Sequence, residues 1–222
     1  MGFGLSLGLA LSSMVLFFLF MLVSMNAYKK RWDRKYDIRN TFPYELNYQQ
    51  RFTDNIMPNA ILTLAVATSI ALYAFFDIKH LSGAIIVTLA CGCIASIIIF
   101  FMFFLDIRFI RFHIVMFALL AISTFGCPAS IAVICYQKYQ TTLNVYYIVI
   151  AIISAVFALF AFALIMNPKL TFQLQMEKAQ GVDGKEVLVR PKFFVLAISE
   201  WIFIFTLLAS DVLLLLAYLP IK

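Results

Sequence analysis

Glu200 and Asp211 both fall deep inside the apolar run 193–219, which contains no Lys, Arg or His. Eleven residues at about 100° each bring the two to within about 20° of one helix face, about 16 Å apart along the axis. An ionised carboxylate at the centre of a bilayer costs about 3 kcal/mol on insertion scales. A helix carrying two on one face must turn that face inward, toward other helices or a wet cavity. The nearest basic residues, Arg190 and Lys192, sit at one end of the run, and no other apolar run has a central Lys or Arg. The carboxyls are therefore expected to be protonated, hydrated or bound to a cation. Each follows a serine, Ser199 and Ser210. Glu200, Asp211, Ser199 and Ser210 are thus the expected residues of a path for protons, cations or a cationic solute. Two plainer readings compete: neutral carboxyls bonded to neighbouring helices and their own serines, or a polar stripe that docks a partner subunit.

A second feature lies in the run 112–136, where Ser123, Thr124, Phe125, Gly126, Cys127 and Pro128 follow one another. Pro128 has no N–H to give the carbonyl of Thr124, and its ring crowds that turn. Gly126 loosens it further. A kink is expected at Thr124, Gly126 and Pro128, with the freed carbonyl finding a hydroxyl or water. Transporters place such interrupted helices at substrate sites, although simple kinks are commoner.

These residues need a membrane around them. The chain of 222 residues is 64% hydrophobic and 13% charged, against about a quarter charged in a soluble domain. Six apolar runs, 5–27, 60–76, 81–105, 112–136, 145–166 and 193–219, have the length to cross about 30 Å of hydrocarbon, the second only with flanking residues or local thinning. The expected fold is an all-α polytopic membrane helix bundle in a single transmembrane domain, residues 1–222, with connectors at 28–59 and 167–192. Gly4, Gly8 and Ser12 recur every four residues in the first run, a small-residue stripe for close helix packing.

Threaded in order, the runs place fourteen of the 17 Lys and Arg residues on one side. The rule that basic loops stay inside makes the two connectors and the turn after the third run cytoplasmic, and puts both termini outside. The basic cluster after the first run and the lack of one before it favour an uncleaved anchor over a signal peptide. The expected location is the plasma membrane.

Tyr36, Phe42, Tyr44, Tyr48 and Phe52 mix with basic residues in the first connector, a composition suited to lying along the headgroup zone or docking a partner. In the second connector Phe172, Leu174 and Met176 alternate with polar residues, and a Gly-rich turn precedes Val187, Leu188 and Val189. This predicts a small antiparallel hairpin over about 171–177 and 186–190.

Other chemistries are excluded by what is missing. The sequence has no P-loop, no HExxH and no GxSxG. His113 stands alone near the turn that holds Asp106, Arg108 and Arg111; the other His, His80, falls on the opposite side, so no metal or haem ligand set forms. The cysteines Cys91, Cys93, Cys127 and Cys135 read as small packing residues. No cofactor, metal or nucleic acid is expected; the partners are the lipid bilayer and other membrane proteins in a homo- or hetero-oligomer. The leading functional expectation is a small transporter or permease-type component, and an enzyme is the less favoured class. The alternatives are a non-catalytic subunit or scaffold that binds through the Gly4, Gly8 and Ser12 stripe, and an unrecognised membrane enzyme acting on lipid.

Overall fold

A computed structural model describes residues 3–46, 56–76, 82–104, 109–170, 177–180 and 186–219. It is a bundle of six helices long and apolar enough to cross a membrane, plus a two-stranded hairpin: α1 (Phe3–Trp32), α2 (Ile56–Ala74), α3 (Gly83–Met102), α4 (Ile110–Thr142), α5 (Val145–Ile165), β1 (Glu177–Gln180), β2 (Glu186–Val189) and α6 (Val195–Ala217). The chain is a multi-pass membrane protein by this architecture.

Local chemistry sets several of the ends. Ser82 caps α3 by accepting from the amide of Ile85, and Asn144 caps α5 by accepting from Tyr146. Leu143, in the left-handed region at φ 54°, turns the chain sharply between α4 and α5. α1 and α4 outrun their apolar runs. At 30 and 33 residues they measure about 45 and 50 Å, so their ends stand clear of the hydrocarbon. Lys138, in the last turns of α4, donates to the carbonyl of Ala217 at 2.7 Å and lies over the ring of Tyr218. A cation thus closes the C-terminus of α6, where the helix dipole is negative.

Helices α1 to α5 neighbour one another in chain order, and α6 packs against α1, α3, α4 and α5. In α6, 72% of the apolar window is inside the bundle, against 28–50% in the other five. The helix with the two carboxylates is therefore the core of the molecule, and the others shield it from lipid.

Small residues permit the closest approaches. A Cβ on Gly92 would lie 2.3 Å from the ring of Tyr73, so α2 and α3 meet with an aromatic ring laid on bare backbone. At Gly126 a Cβ would meet the Cys91 sulfur at 2.8 Å, which brings α4 against α3. Thr88 and Ser130 join the same two helices through hydroxyls 2.6 Å apart.

Three sequence expectations are refined. The hairpin pairs Glu177 with Val189 through Gln180 with Glu186. Its second strand falls where expected, whereas its first begins as the apolar alternation ends. Phe172, Leu174, Met176 and the Gly-rich turn lie outside the described residues. The described part of the first connector packs against the bundle, and Tyr48 and Phe52 lie outside the described residues. Phe42 and Tyr44 are buried against Phe194 and Ala197 at the start of α6, and Leu46 is buried in the main core. Finally, α4 stays α-helical across Pro128 from Ile110 to Thr142, so no discontinuous helix forms there. Thr124 turns its hydroxyl to the carbonyls of Leu120 and Ala121, and Ser130 turns its own to Gly126 and Cys127.

Candidate functional site

α6 presents its two carboxyls to two separate buried clusters. Glu200 is five residues from the start of the helix and Asp211 six from its end, and they are 0% and 1% exposed. Neither touches lipid.

Glu200 has a partner that the sequence reading did not assign. His113 Nε2 lies 2.8 Å from Glu200 Oε1, and both side chains are buried. The pairing follows from topology. α4 and α6 run from the same end of the bundle, and the two residues stand three and five positions in from Ile110 and Val195. They therefore reach similar depths, and an acid lacking a charged partner on its own helix meets a base on the neighbouring one. His113 Nδ1 and Glu200 Oε2 have no partner among the described residues. The pair has one free polar atom at each end, an arrangement that can pass a proton across it as the imidazole changes tautomer.

The first connector roofs this pair. Phe42 and Tyr44 set their rings edge-on to the His113 ring, at 6.1 and 5.7 Å. Trp201 donates from its indole to the carbonyl of Thr41 at 3.1 Å, Tyr36 donates to Phe42 at 2.7 Å, and the amide of Phe194 donates to Arg39 at 2.8 Å. Arg190, at the exit of the hairpin, pairs with Glu45 and covers the rings of Phe42 and Phe194. The described parts of the two connectors thus meet at the Arg190–Glu45 pair. Their electrostatics are local: burial opposes the Arg190 charge, but Glu45 beside it outweighs this and holds its pKa above the ordinary value. Burial also pushes the Tyr44 phenol up. At the rim, hydrogen bonds from Arg39 hold the Asp37 carboxyl below its usual range.

Asp211 has no ion partner among the described residues. Ser13 on α1 and Ser69 on α2 each place a hydroxyl 3.3 Å from its Oδ2, and Tyr73 also turns its phenol to this carboxyl. Ser96 on α3 stands 2.8 Å behind Ser69. Asp211 Oδ1 has no partner among the described residues. Beside these serines is a small cavity with room for about one water molecule, walled by Phe17, Ile99, Ile204 and Leu207 among others.

Ser199 and Ser210 are buried next to the carboxyls in sequence, but their hydroxyls turn back to the carbonyls of Val195 and Thr206 in their own helix. The hydroxyls that reach Asp211 come from α1 and α2. Gly126 lies against Cys91 of α3 and Thr124 bonds within its own helix, while Cys127, between Gly126 and Pro128, meets the Tyr73 phenol at 3.6 Å. Gly4, Gly8 and Ser12 are exposed, with nothing within 4 Å of a Cβ placed on either glycine; α1 meets the bundle instead through Ser6, Ala10, Ser13, Phe17 and Phe20. The four cysteines are free thiols.

Sequence reasoning missed His113, Ser13, Ser69, Ser96 and Tyr73. For His113 a signal existed: it and Glu200 lie at matching distances inside two runs that enter from one side. No comparable signal marks the three serines, since serine is common in transmembrane helices as a packing residue. Comparison with protein-family models, curated proteins and solved structures finds no match to this chain.

Proposed function

We propose that this multi-pass protein is a small transporter or permease-type component that moves protons, cations or a cationic solute along α6, with Glu200 and Asp211 as its two stations. The observation that carries the reading is that each carboxyl is enclosed by the bundle and keeps one oxygen without a partner among the described residues. A carboxyl whose role is only to hold helices together would satisfy both oxygens, because an unmet buried polar atom costs about 1–3 kcal/mol. In this reading Asp211 is the station nearer the outside. Glu200 is the station nearer the cytoplasm, with His113 as its exchange partner and the Phe42–Tyr44 roof as the cytoplasmic gate. The membrane is the plasma membrane, with both termini outside and the paired connectors inside.

The test is flux in reconstituted vesicles. Glu200→Gln and Asp211→Asn keep the side-chain shape and remove the charge. Proton- or cation-linked flux should fall at least tenfold in one or both while the protein still inserts. Wild-type flux at the level of empty vesicles, for protons and for monovalent cations alike, would sink the reading.

The scaffold alternative draws on a different observation. The Gly4, Gly8 and Ser12 face of α1 is exposed and bare, which suits a second transmembrane helix. Gly8→Ile should then abolish copurification of a membrane partner, or the homo-oligomer, without altering flux.

A further inference from the structure

The stretch of α6 between the two carboxyls limits what can pass between them. Glu200, Ile204, Leu207 and Asp211 recur at the spacing of one helix face, over about 16 Å. The cavity beside Asp211 opens onto this face. Ile204 and Leu207 wall it together with Phe17 of α1 and Ile99 of α3, and its hydroxyls are those of Ser13, Ser69 and Ser96. From Phe17 a row of rings continues toward Glu200. Phe17 and Phe20 meet Phe103 at 6.1 and 4.9 Å, and Phe103 meets Trp201, the neighbour of Glu200, at 5.9 Å. All four rings are buried, and neither they nor the aliphatic chains offer an oxygen ligand.

A metal ion or an organic cation crossing this stretch would go bare, which an apolar interior opposes strongly. The cavity has room for about one water, too little for a hydration shell. A proton needs no shell. It passes from oxygen to oxygen as bonds exchange, along whatever waters enter for the moment of transfer.

The Glu200 end makes the same choice. His113 Nε2 and Glu200 Oε1 are 2.8 Å apart, so an ion could bind only by parting them. The proton between them can sit on either atom, and His113 Nδ1 and Glu200 Oε2 have no partner among the described residues. A proton arriving at Nδ1 forms an N–H bond there; the N–H bond at Nε2 breaks and an O–H bond forms at Oε1. The imidazole stays neutral in its other tautomer, and the pair has gained one proton. Among the described residues the other charges that reach Glu200 are those of Glu45, Tyr36 and Tyr44 on the first connector, and Arg190 already pairs with Glu45. None is a fixed cation that would stand in for the proton. At the far end Ser13 and Ser69 donate to Asp211 Oδ2, while Oδ1 has no partner among the described residues and takes a proton without further ligands.

We propose that the species moved between Asp211 and Glu200 is the proton alone, taken up and released at the Glu200 end by the His113–Glu200 pair. This narrows the transport reading above and rests on it.

The test uses the full-length protein in vesicles that enclose a pH dye, with N-methylglucamine replacing every metal cation and a lipophilic ion balancing charge. Protons should cross at the same rate in this medium as in Na+ or K+ medium. Labelled Na+, Rb+ and tetraethylammonium should enter no faster than into empty vesicles. His113→Gln keeps a donor for Glu200 but cannot exchange a proton. It should lower proton flux about tenfold or more, while its thermal unfolding temperature stays close to that of wild type. Uptake of any labelled cation that Asp211→Asn abolishes would overturn the inference and leave the transport reading standing, as would proton movement that stops without metal cations. Wild-type proton flux in a folded His113→Gln protein would overturn it too. No flux of any species would sink both. The wild-type measurements decide the matter even if His113→Gln does not fold.

Discussion

At the residue scale the two carboxyls differ in how they are compensated, and their variants should differ accordingly. Glu200 has a hydrogen-bonded base, His113, under an aromatic roof. Removing one partner of a buried pair strands the other, at a cost of about 3–5 kcal/mol. His113→Ala should therefore lower the thermal unfolding temperature in detergent well below that of Glu200→Gln, whose amide can still meet the imidazole. In the double variant the two losses should not add, because each single change breaks the same contact. Equal, additive losses would mean that the imidazole and the carboxyl are independent. Asp211 is different. It has hydroxyls rather than a base, and no ion partner among the described residues.

At the scale of elements, the position of Tyr73 on α2 depends on a residue of α3. The ring lies where a Cβ on Gly92 would stand, and the same ring presents its phenol to Asp211 and to the Cys127 sulfur at 3.6 Å. Gly92→Ala must push the ring away or spread the helices. Overpacking of this kind costs about 1–3 kcal/mol, and thermal unfolding should register it. Tyr73→Phe in the Gly92→Ala background should rescue little, since the clash is with ring carbons. Tyr73→Ala should recover part of the loss. At Gly126 the obstacle is the Cys91 sulfur at 2.8 Å, the far end of a small side chain. Gly126→Ala should be milder, and Cys91→Ala should relieve it.

At the scale of the whole molecule, the two connectors are joined by the Arg190–Glu45 pair and by the bonds from Trp201 and Phe194 to Thr41 and Arg39. Both therefore belong to one face of the bundle, the face where the basic loops collect. Gln140, near the end of α4, and Gln180, in the hairpin, are both exposed and serve as markers for opposite faces. In a cysteine-free background, Gln140→Cys should react with an impermeant thiol reagent from outside intact cells. Gln180→Cys should react only after the membrane is opened. The opposite pattern would invert the sidedness proposed for both carboxyl stations.

Much of this architecture was legible along the chain because it depends on local quantities. Hydropathy over about 20 residues identifies a span, and the helical repeat puts Glu200 and Asp211 on one inward face. Both signals are complete within one segment, and the six helices follow from them. What the tertiary structure decided are pairings between segments: His113 with Glu200 across 87 positions, Ser69 and Ser13 with Asp211 across 142 and 198. Phe42 and Tyr44 read as interfacial by composition, yet they are buried because the start of α6 offers them Phe194 and Ala197. Likewise the Gly4, Gly8 and Ser12 stripe reads as a packing face, while α1 packs through Ser6, Ala10 and Ser13. A helix with small residues on two faces leaves open which face meets its neighbours. Only the placement of the other five helices settles that, since burial is a property of the assembled bundle rather than of any one segment.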